Sequence, residues 1–185
     1  MRLFIAVNLP DEVRRAIHAA AAPLRRAALP VKWVEPDGLH LTLKFLGAVD
    51  PERVAPVTAA LERACRGAGA FPLPLGGFGA FPSPERARVV WVGCEAVPPL
   101  ELLQHGVERE FAALDFPLEG RPFRPHLTLG RARPEARGGV RGLESVLAPL
   151  EFADEIAVRS VEVMESTLGP KGARYDVRHS VMLVG

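Results

Sequence analysis

Two short stretches of this sequence carry side chains that could do the same chemistry. One is His40-Leu41-Thr42-Leu43; the other is His126-Leu127-Thr128-Leu129, 86 residues further on. The 185-residue chain has five histidines and only four threonines, and two of those threonines follow a histidine by two positions. Composition alone would supply about 0.1 such pairs. Imidazole titrates near neutrality, so one ring can accept a proton while a second donates one. A hydroxyl beside each ring can donate to an oxygen on which negative charge develops. A lone histidine on a strand is most often structural, bonded to a nearby carbonyl, but that role gives no reason for the same threonine partner to recur.

The elements that must hold these residues follow from period. Each motif reads as a β-strand, in which residues i and i+2 share a face, so His and Thr point one way and both leucines the other, into a core. The first motif strand is expected over Leu39 to Leu46, fed by the turn Pro36-Asp37-Gly38 and ended by Gly47. Alternation would put Lys44 on the His40 face, where a solvated or salt-bridged lysine is the plain reading. The second strand is expected from Pro125 to Arg131. Further strands are expected at Leu3 to Val7, Val31 to Val34, Arg88 to Gly93, Ile156 to Met164 and Arg174 to Val184, the last two joined by a turn at Gly169 to Gly172. Phe71 to Ala80 is strand-like but rich in Gly and Pro, which suggests an irregular or edge position.

Helices are expected after Pro10-Asp11-Glu12, with Pro23 interrupting the first, and after Asp50-Pro51, with Asp50 as N-cap and a stripe of Val54, Val57, Leu61 and Cys65. Another starts at Pro98-Pro99 with a stripe of Leu100, Leu103, Val107, Phe111 and Leu114, and a short one lies near Leu143 to Leu147. His105 falls off its helical stripe and reads as a surface residue, and His179 on the last strand, which has no twin, reads as structural.

With these residues in view, the twin His-x-Thr-x motif resembles that of the 2H phosphoesterase superfamily. The flanks, Arg2-Leu-Phe-Ile-Ala-Val-Asn-Leu-Pro10, Leu39-His-Leu-Thr-Leu-Lys-Phe-Leu-Gly47 and Pro122-Phe-Arg-Pro-His-Leu-Thr-Leu-Gly-Arg131, look like the bacterial and archaeal RNA 2′,3′-cyclic phosphodiesterases, also called 2′-5′ RNA ligases. The resemblance implies an α+β fold: two pseudo-symmetric α/β lobes whose antiparallel sheets face a central groove, intertwined in a single domain over residues 1–185. It implies metal-independent hydrolysis of RNA 2′,3′-cyclic phosphate ends to 2′-phosphate, with His40 as proton donor and His126 as proton acceptor. Nothing in this sequence alone distinguishes those two roles. Thr42, Thr128 and Arg131 would bind phosphate. Strict alternation from His126 aims Arg131 at the opposite face, unless Gly130 lets the strand bend or bulge and redirects it. The same chemistry run backwards would join a cyclic end to a 5′-hydroxyl without ATP.

Composition bounds the rest. At 185 residues and 48% hydrophobic content, one compact domain or two small lobes with a shared core is expected, not disorder. The net charge of +1 decides nothing about nucleic acid, but six arginines and one acid, Glu135, lie between Arg121 and Arg141. That segment reads either as solvated charge or as a positive rim beside the second motif. Cys65 and Cys94 are isolated, without metal-ligand spacing, and suit a reducing cytoplasm. No stretch approaches a membrane span. No metal or cofactor is implied; the expected partner is RNA with a 2′,3′-cyclic phosphate end, tRNA fragments included, acted on by a cytoplasmic monomer. Two other readings stay open: a non-catalytic RNA-binding module, and a 2H phosphodiesterase acting on another cyclic nucleotide. The aromatic residues that would stack on a base are not placed by sequence.

Overall fold

The computed structural model describes residues 1–184; Gly185, the last residue of the expected domain, lies outside them. The elements run β1 (Arg2–Asn8), α1 (Asp11–Ala20), α2 (Ala22–Arg26), β2 (Val31–Trp33), β3 (His40–Ala48), α3 (Val54–Cys65), β4 (Phe71–Phe81), β5 (Val89–Cys94), α4 (Pro98–Ala112), β6 (His126–Ala132), α5 (Leu143–Leu147), β7 (Ala153–Val158), β8 (Ser160–Gly169) and β9 (Gly172–Met182). The strands form one sheet in the order β7-β4-β5-β6-β3-β1-β8-β9, with β2 also paired to β6. Every pairing is antiparallel. The fold is thus the expected α+β one, with two antiparallel lobes meeting at β6 and β3.

The order is nearly a palindrome about that meeting line. Outward on one side come β6, β5 and β4; outward on the other come β3, β1 and β8. The hairpin β4–β5, most of it in the first half of the chain, pairs with β7 and β6 of the second, and β8 from the second half pairs with β1 of the first. Each half therefore completes the sheet of the other. Among the described residues, only Leu41 and Leu127 pair between β3 and β6. Beyond that point the two strands part, and β2 pairs with the far end of β6 through Val31, Lys32 and Trp33.

The faces sort as hydrophobic period demands. Leu3, Ile5, Val7, Leu41, Leu43, Val90, Val92, Leu127 and Leu129 turn to one large buried cluster, where they meet Val57 and Leu61 of α3 and Leu103, Val107 and Phe111 of α4. Helix α3 packs on α4, α4 lies against β3, and α3 lies against β8 and β9. Burying each of these side chains contributes about 1.5–3 kcal/mol. A separate small cluster of Phe4, Ala6 and Met164, with Tyr175 against it, occupies the other face of β1 and β8.

Several local readings are corrected. The expected strand Ile156 to Met164 is two strands, β7 on β4 and β8 on β1, and the chain crosses from one lobe to the other at Arg159. Strand β4 lies inside the strand order, but most of each half has one partner only: its first half pairs with β7 and its second with β5. Pro72 and Pro74 lie in the half that has no β5 partner, so their missing N–H groups break no ladder on that side. The strand is irregular where it changes partner, at a register shift spanning Gly77, whose φ of 75° suits glycine. Asp50 precedes a 3-10 turn, Pro51–Arg53, with no side-chain cap bond, and α3 begins only at Val54. Pro23 does interrupt the first helix, which restarts as α2. His105 is exposed and His179 bonds Glu62 through Nε2 at 3.1 Å.

Candidate active site

His40 and His126 each open a strand, and those two strands are the ones that meet at Leu41 and Leu127. Antiparallel register through that pair sets His40 across from Thr128 and Thr42 across from His126. The leucines between them are buried on the far side, and all four motif side chains are half-buried on the near side. The two motifs therefore share one face of adjacent strands.

Both motif strands carry the same defect. In β3 the register with β1 jumps from Thr42 opposite Ala6 to Lys44 opposite Ile5, so Leu43 is the extra residue of a bulge. In β6 the register with β5 jumps from Thr128 opposite Trp91 to Gly130 opposite Val90, so Leu129 is the extra residue. A bulge inverts the alternation beyond it. Lys44 consequently does not share the His40 face. It is buried on the helix side, where Nζ donates to Glu108 Oε1 and to the Pro117 carbonyl, each at 2.8 Å. The other Glu108 oxygen accepts from the Glu119 N–H at 2.9 Å, so the pair pins the segment that follows α4. In β6 the same inversion leaves Arg131 exposed, in electrostatic reach of both His40 and His126. Gly130 occupies the position equivalent to Lys44 because a Cβ there would lie 2.6 Å from the Trp33 ring and 3.0 Å from the Lys32 carbonyl oxygen.

The equivalence also finds a residue that sequence reasoning missed. Phe45 corresponds to Arg131 and, like it, points out beyond the bulge; it is 67% exposed despite its size. Its ring lies 6.1 Å from that of Phe4, which in turn lies 4.7 Å from His40. Tyr175 closes this group, 5.1 Å from His40 and 5.8 Å from Phe4. Around His126 the aromatic neighbours are Phe81, edge-on at 5.0 Å, and Trp91, 5.1 Å from Phe81. Trp91 fits because its partner across the ladder is Gly79, whose added Cβ would meet the indole at 2.4 Å. The buried indole N–H has no hydrogen-bond partner among the described residues. The offset of 86 between the motifs is the signal that could have found Phe45; the other rings come from strands far away in the sequence.

Arg14 of α1 is a second missed residue. Its Nε donates to the Leu39 carbonyl at 3.2 Å and one terminal nitrogen to Asn8 Oδ1 at 3.1 Å. Asn8 faces His40 in the β1–β3 ladder and donates to the buried carboxylate of Glu162, which also accepts from Ser160 and Ser180. This chain of bonds fixes the backbone at the start of the first motif.

The electrostatics of the rings follow. Burial, with the positive charges of Arg14 and Arg131 added, pushes His40 down from its ordinary 6.5 to about 4, against a backbone hydrogen bond to Gly38 that favours the proton. His126 is also lowered, by burial first and Arg131 after it, against its bond to Arg124. His126 Nδ1 lies 2.7 Å from the Arg124 carbonyl oxygen. A carbonyl only accepts, so Nδ1 carries the proton and a neutral ring presents a bare Nε2. A neutral ring of this kind can take a proton, and a phosphate anion nearby would let the other ring hold one. Among the described residues, no three of His, Cys, Asp and Glu are grouped so as to hold a metal ion. No helix among them is long and apolar enough to cross a membrane.

Comparison with known proteins gives the family. The family described as LigT like Phosphoesterase matches the chain twice, over residues 7–91 and 92–175. An RNA 2′,3′-cyclic phosphodiesterase of Methanothermobacter thermautotrophicus is 34% identical over 176 residues, 95% of each chain. A crystal structure from Thermus thermophilus superposes with a TM-score of 0.82 at 33% identity, covering 100% of this chain and 99% of that one. E. coli LigT complexed with 3′-AMP superposes with a TM-score of 0.78 at 30% identity, covering 100% and 98%. With one family match over each half and full-length relatives on both counts, this chain belongs to the LigT-like phosphoesterase family.

Proposed function

We propose that this protein hydrolyses the 2′,3′-cyclic phosphate end of RNA to a 2′-phosphate by paired acid and base catalysis. The observation that carries the reading is the abutment of two His-x-Thr motifs on one sheet face, with Arg131 in reach of both rings. The named activity of the Methanothermobacter relative supports it. In this reading water attacks phosphorus and its proton passes to Nε2 of His126, the bare nitrogen. The bond from phosphorus to O3′ breaks, and His40 gives that oxygen a proton. Thr42, Thr128 and Arg131 donate to the phosphoryl oxygens as charge gathers on them.

His40 must hold a proton to act as the acid, yet burial and two arginines disfavour one in the free site. The substrate's phosphate offsets those arginines and restores the proton when it is needed. The exposed ring of Phe45, with Phe4 and Tyr175 behind it, would offer a stacking surface to the base of the terminal nucleotide without reading its edge. Run backwards, the same pair of histidines would ligate a cyclic end to a 5′-hydroxyl. The two interleaved lobes would act as a single unit, because the site lies on the strands where they join.

The test is product analysis on a dinucleotide with a 2′,3′-cyclic phosphate end, with a chelator present. A 2′-phosphate product, seen by phosphorus NMR, is expected. A 3′-phosphate would reverse the roles given to the two histidines, and activity lost to the chelator and restored by one divalent ion would remove the acid–base reading.

A further inference from the structure

Where β4 ends at Phe81 and β5 begins at Val89 lies a pocket of about 450 Å³ lined by Pro82, Arg86, Arg88, Arg137 and Gly138. Three of its five lining residues are arginines and none is acidic. None of the three is in an ion pair among the described residues. Like charges gathered without counter-charge repel one another. The cluster is nevertheless built. A guanidinium nitrogen of Arg88 donates to the Arg137 carbonyl at 2.6 Å, tying the end of β5 to the loop after β6. Gly139, at φ 117°, sits where any Cβ would lie 2.3 Å from the Glu85 carbonyl oxygen, so that loop packs directly on the turn carrying Arg86.

The pocket adjoins the site by two routes. Phe81 touches the His126 ring edge-on, and the next residue, Pro82, lines the pocket. Val89 pairs with Arg131, and the residue before it is Arg88. A chain whose end is held between the two histidines, and which leaves over Phe81, arrives at the three arginines. Guanidinium groups suit phosphate oxygens through paired N–H bonds.

We propose that this pocket binds a backbone phosphate of the same RNA strand whose cyclic end occupies the groove, one or more nucleotides from that end. The proposal rests on the reading above for the strand's identity. Contacts of this kind position a strand without reading its sequence. They make the enzyme prefer an oligonucleotide end to a free nucleoside cyclic phosphate, and make that preference fall with salt.

Direct binding tests it independently of turnover. The wild-type protein is titrated with a nucleoside 2′-phosphate and with a pentanucleotide ending in a 2′-phosphate, across a range of salt. The pentanucleotide should bind more tightly, with the steeper salt dependence. In Arg86→Gln/Arg137→Gln, which leaves the Arg88 bond in place, the nucleoside should bind as before. The pentanucleotide should weaken several-fold, and the slope of log affinity against log salt should flatten by about 0.7 for each arginine removed. Arg86→Lys/Arg137→Lys keeps the charge and should keep the slope, which separates loss of charge from a disturbed loop. Equal weakening of both ligands, or unchanged pentanucleotide binding, would overturn the proposal. A wild-type protein that shows the binding contrast but does not hydrolyse a cyclic end would instead fail the hydrolytic reading and leave this pocket as a phosphate site.

Discussion

The lobe around His40 and the lobe around His126 share a backbone plan and a His-x-Thr motif, and differ in the side chains around that motif. Both motif strands bulge at the leucine after the threonine, and both open at the same cross-lobe pair. At the bulge one lobe has Lys44 bound to Glu108, while the other has Gly130 under Trp33. Past it, one lobe shows an exposed Phe45 and the other Arg131. Opposite the threonine, one has Ala6 beside Glu162 and the other Trp91 over Gly79. The frame supplies two imidazoles in matching positions, and the lining makes them unequal. A symmetric substrate site could not assign one ring to giving a proton and the other to taking it; here the surroundings can.

The comparison breaks most completely if the two rings are removed in turn. His40→Ala and His126→Ala should each lower kcat on a cyclic phosphate end by about two to four powers of ten, the usual range for one general acid or base. The double variant should lose far less than the product, because the rings act as a unit. A fully active single variant would end the paired mechanism.

The next largest effect is on stability. Lys44→Met strands Glu108 in the interior and should cost about 3–5 kcal/mol in a denaturant titration. Lys44→Met/Glu108→Leu removes both charges and should recover most of that. If the single variant is as stable as the wild type, Lys44 is not holding the segment after α4.

Exchanging the outward residues sharpens the contrast. Phe45→Ala should raise KM for a nucleoside cyclic phosphate by the equivalent of about 1–3 kcal/mol, the contribution of one stacked base. It should leave a base-free ribose cyclic phosphate unaffected. Arg131→Gln should impair both substrates, because both carry the phosphate. Equal responses from the two variants would erase the distinction between the lobes.

The smallest effect is on titration. Ring-proton NMR should show His40 titrating near 4 in the free protein, below the ordinary 6.5. Inorganic phosphate, or Arg131→Gln, should move it upward. Since the unfolded chain binds this proton more tightly, stability should fall as pH drops from 6.5 towards 4 and be fully present above that window. A His40 that titrates at 6.5 with no response to phosphate would remove the electrostatic part of the comparison.

The motif itself is legible in the sequence because strand alternation over three residues needs no tertiary information. The same rule fails two residues on. Alternation assigns Lys44 to the wrong face and leaves Arg131 open, because a bulge is decided by the neighbouring strand, and nothing between Thr42 and Phe45 announces one. Gly130 gives a hint in one copy, while Leu43 gives none in the other. The break at Arg159 is invisible for a related reason: β7 and β8 are continuous in hydrophobic pattern, and only their different partners divide them. The aromatic surround is out of reach altogether. Phe4 and Tyr175 meet across most of the chain's length, and nothing local to either names the other.

The exchange of strands between halves has a consequence for how the molecule is made. Strand β1 precedes its second partner, Glu162 to Ser166, in the sequence, with all five helices and every other strand but β9 between them, so it leaves the ribosome well before that partner. Until that segment emerges, Arg2 to Ala6 has an open edge on one side, and the groove lacks Met164 and Tyr175 beneath His40. While the residues between those two strands are being made, the nascent protein holds an unpaired strand available to any other chain. High local concentration on one message would favour pairing between copies in place of pairing within one.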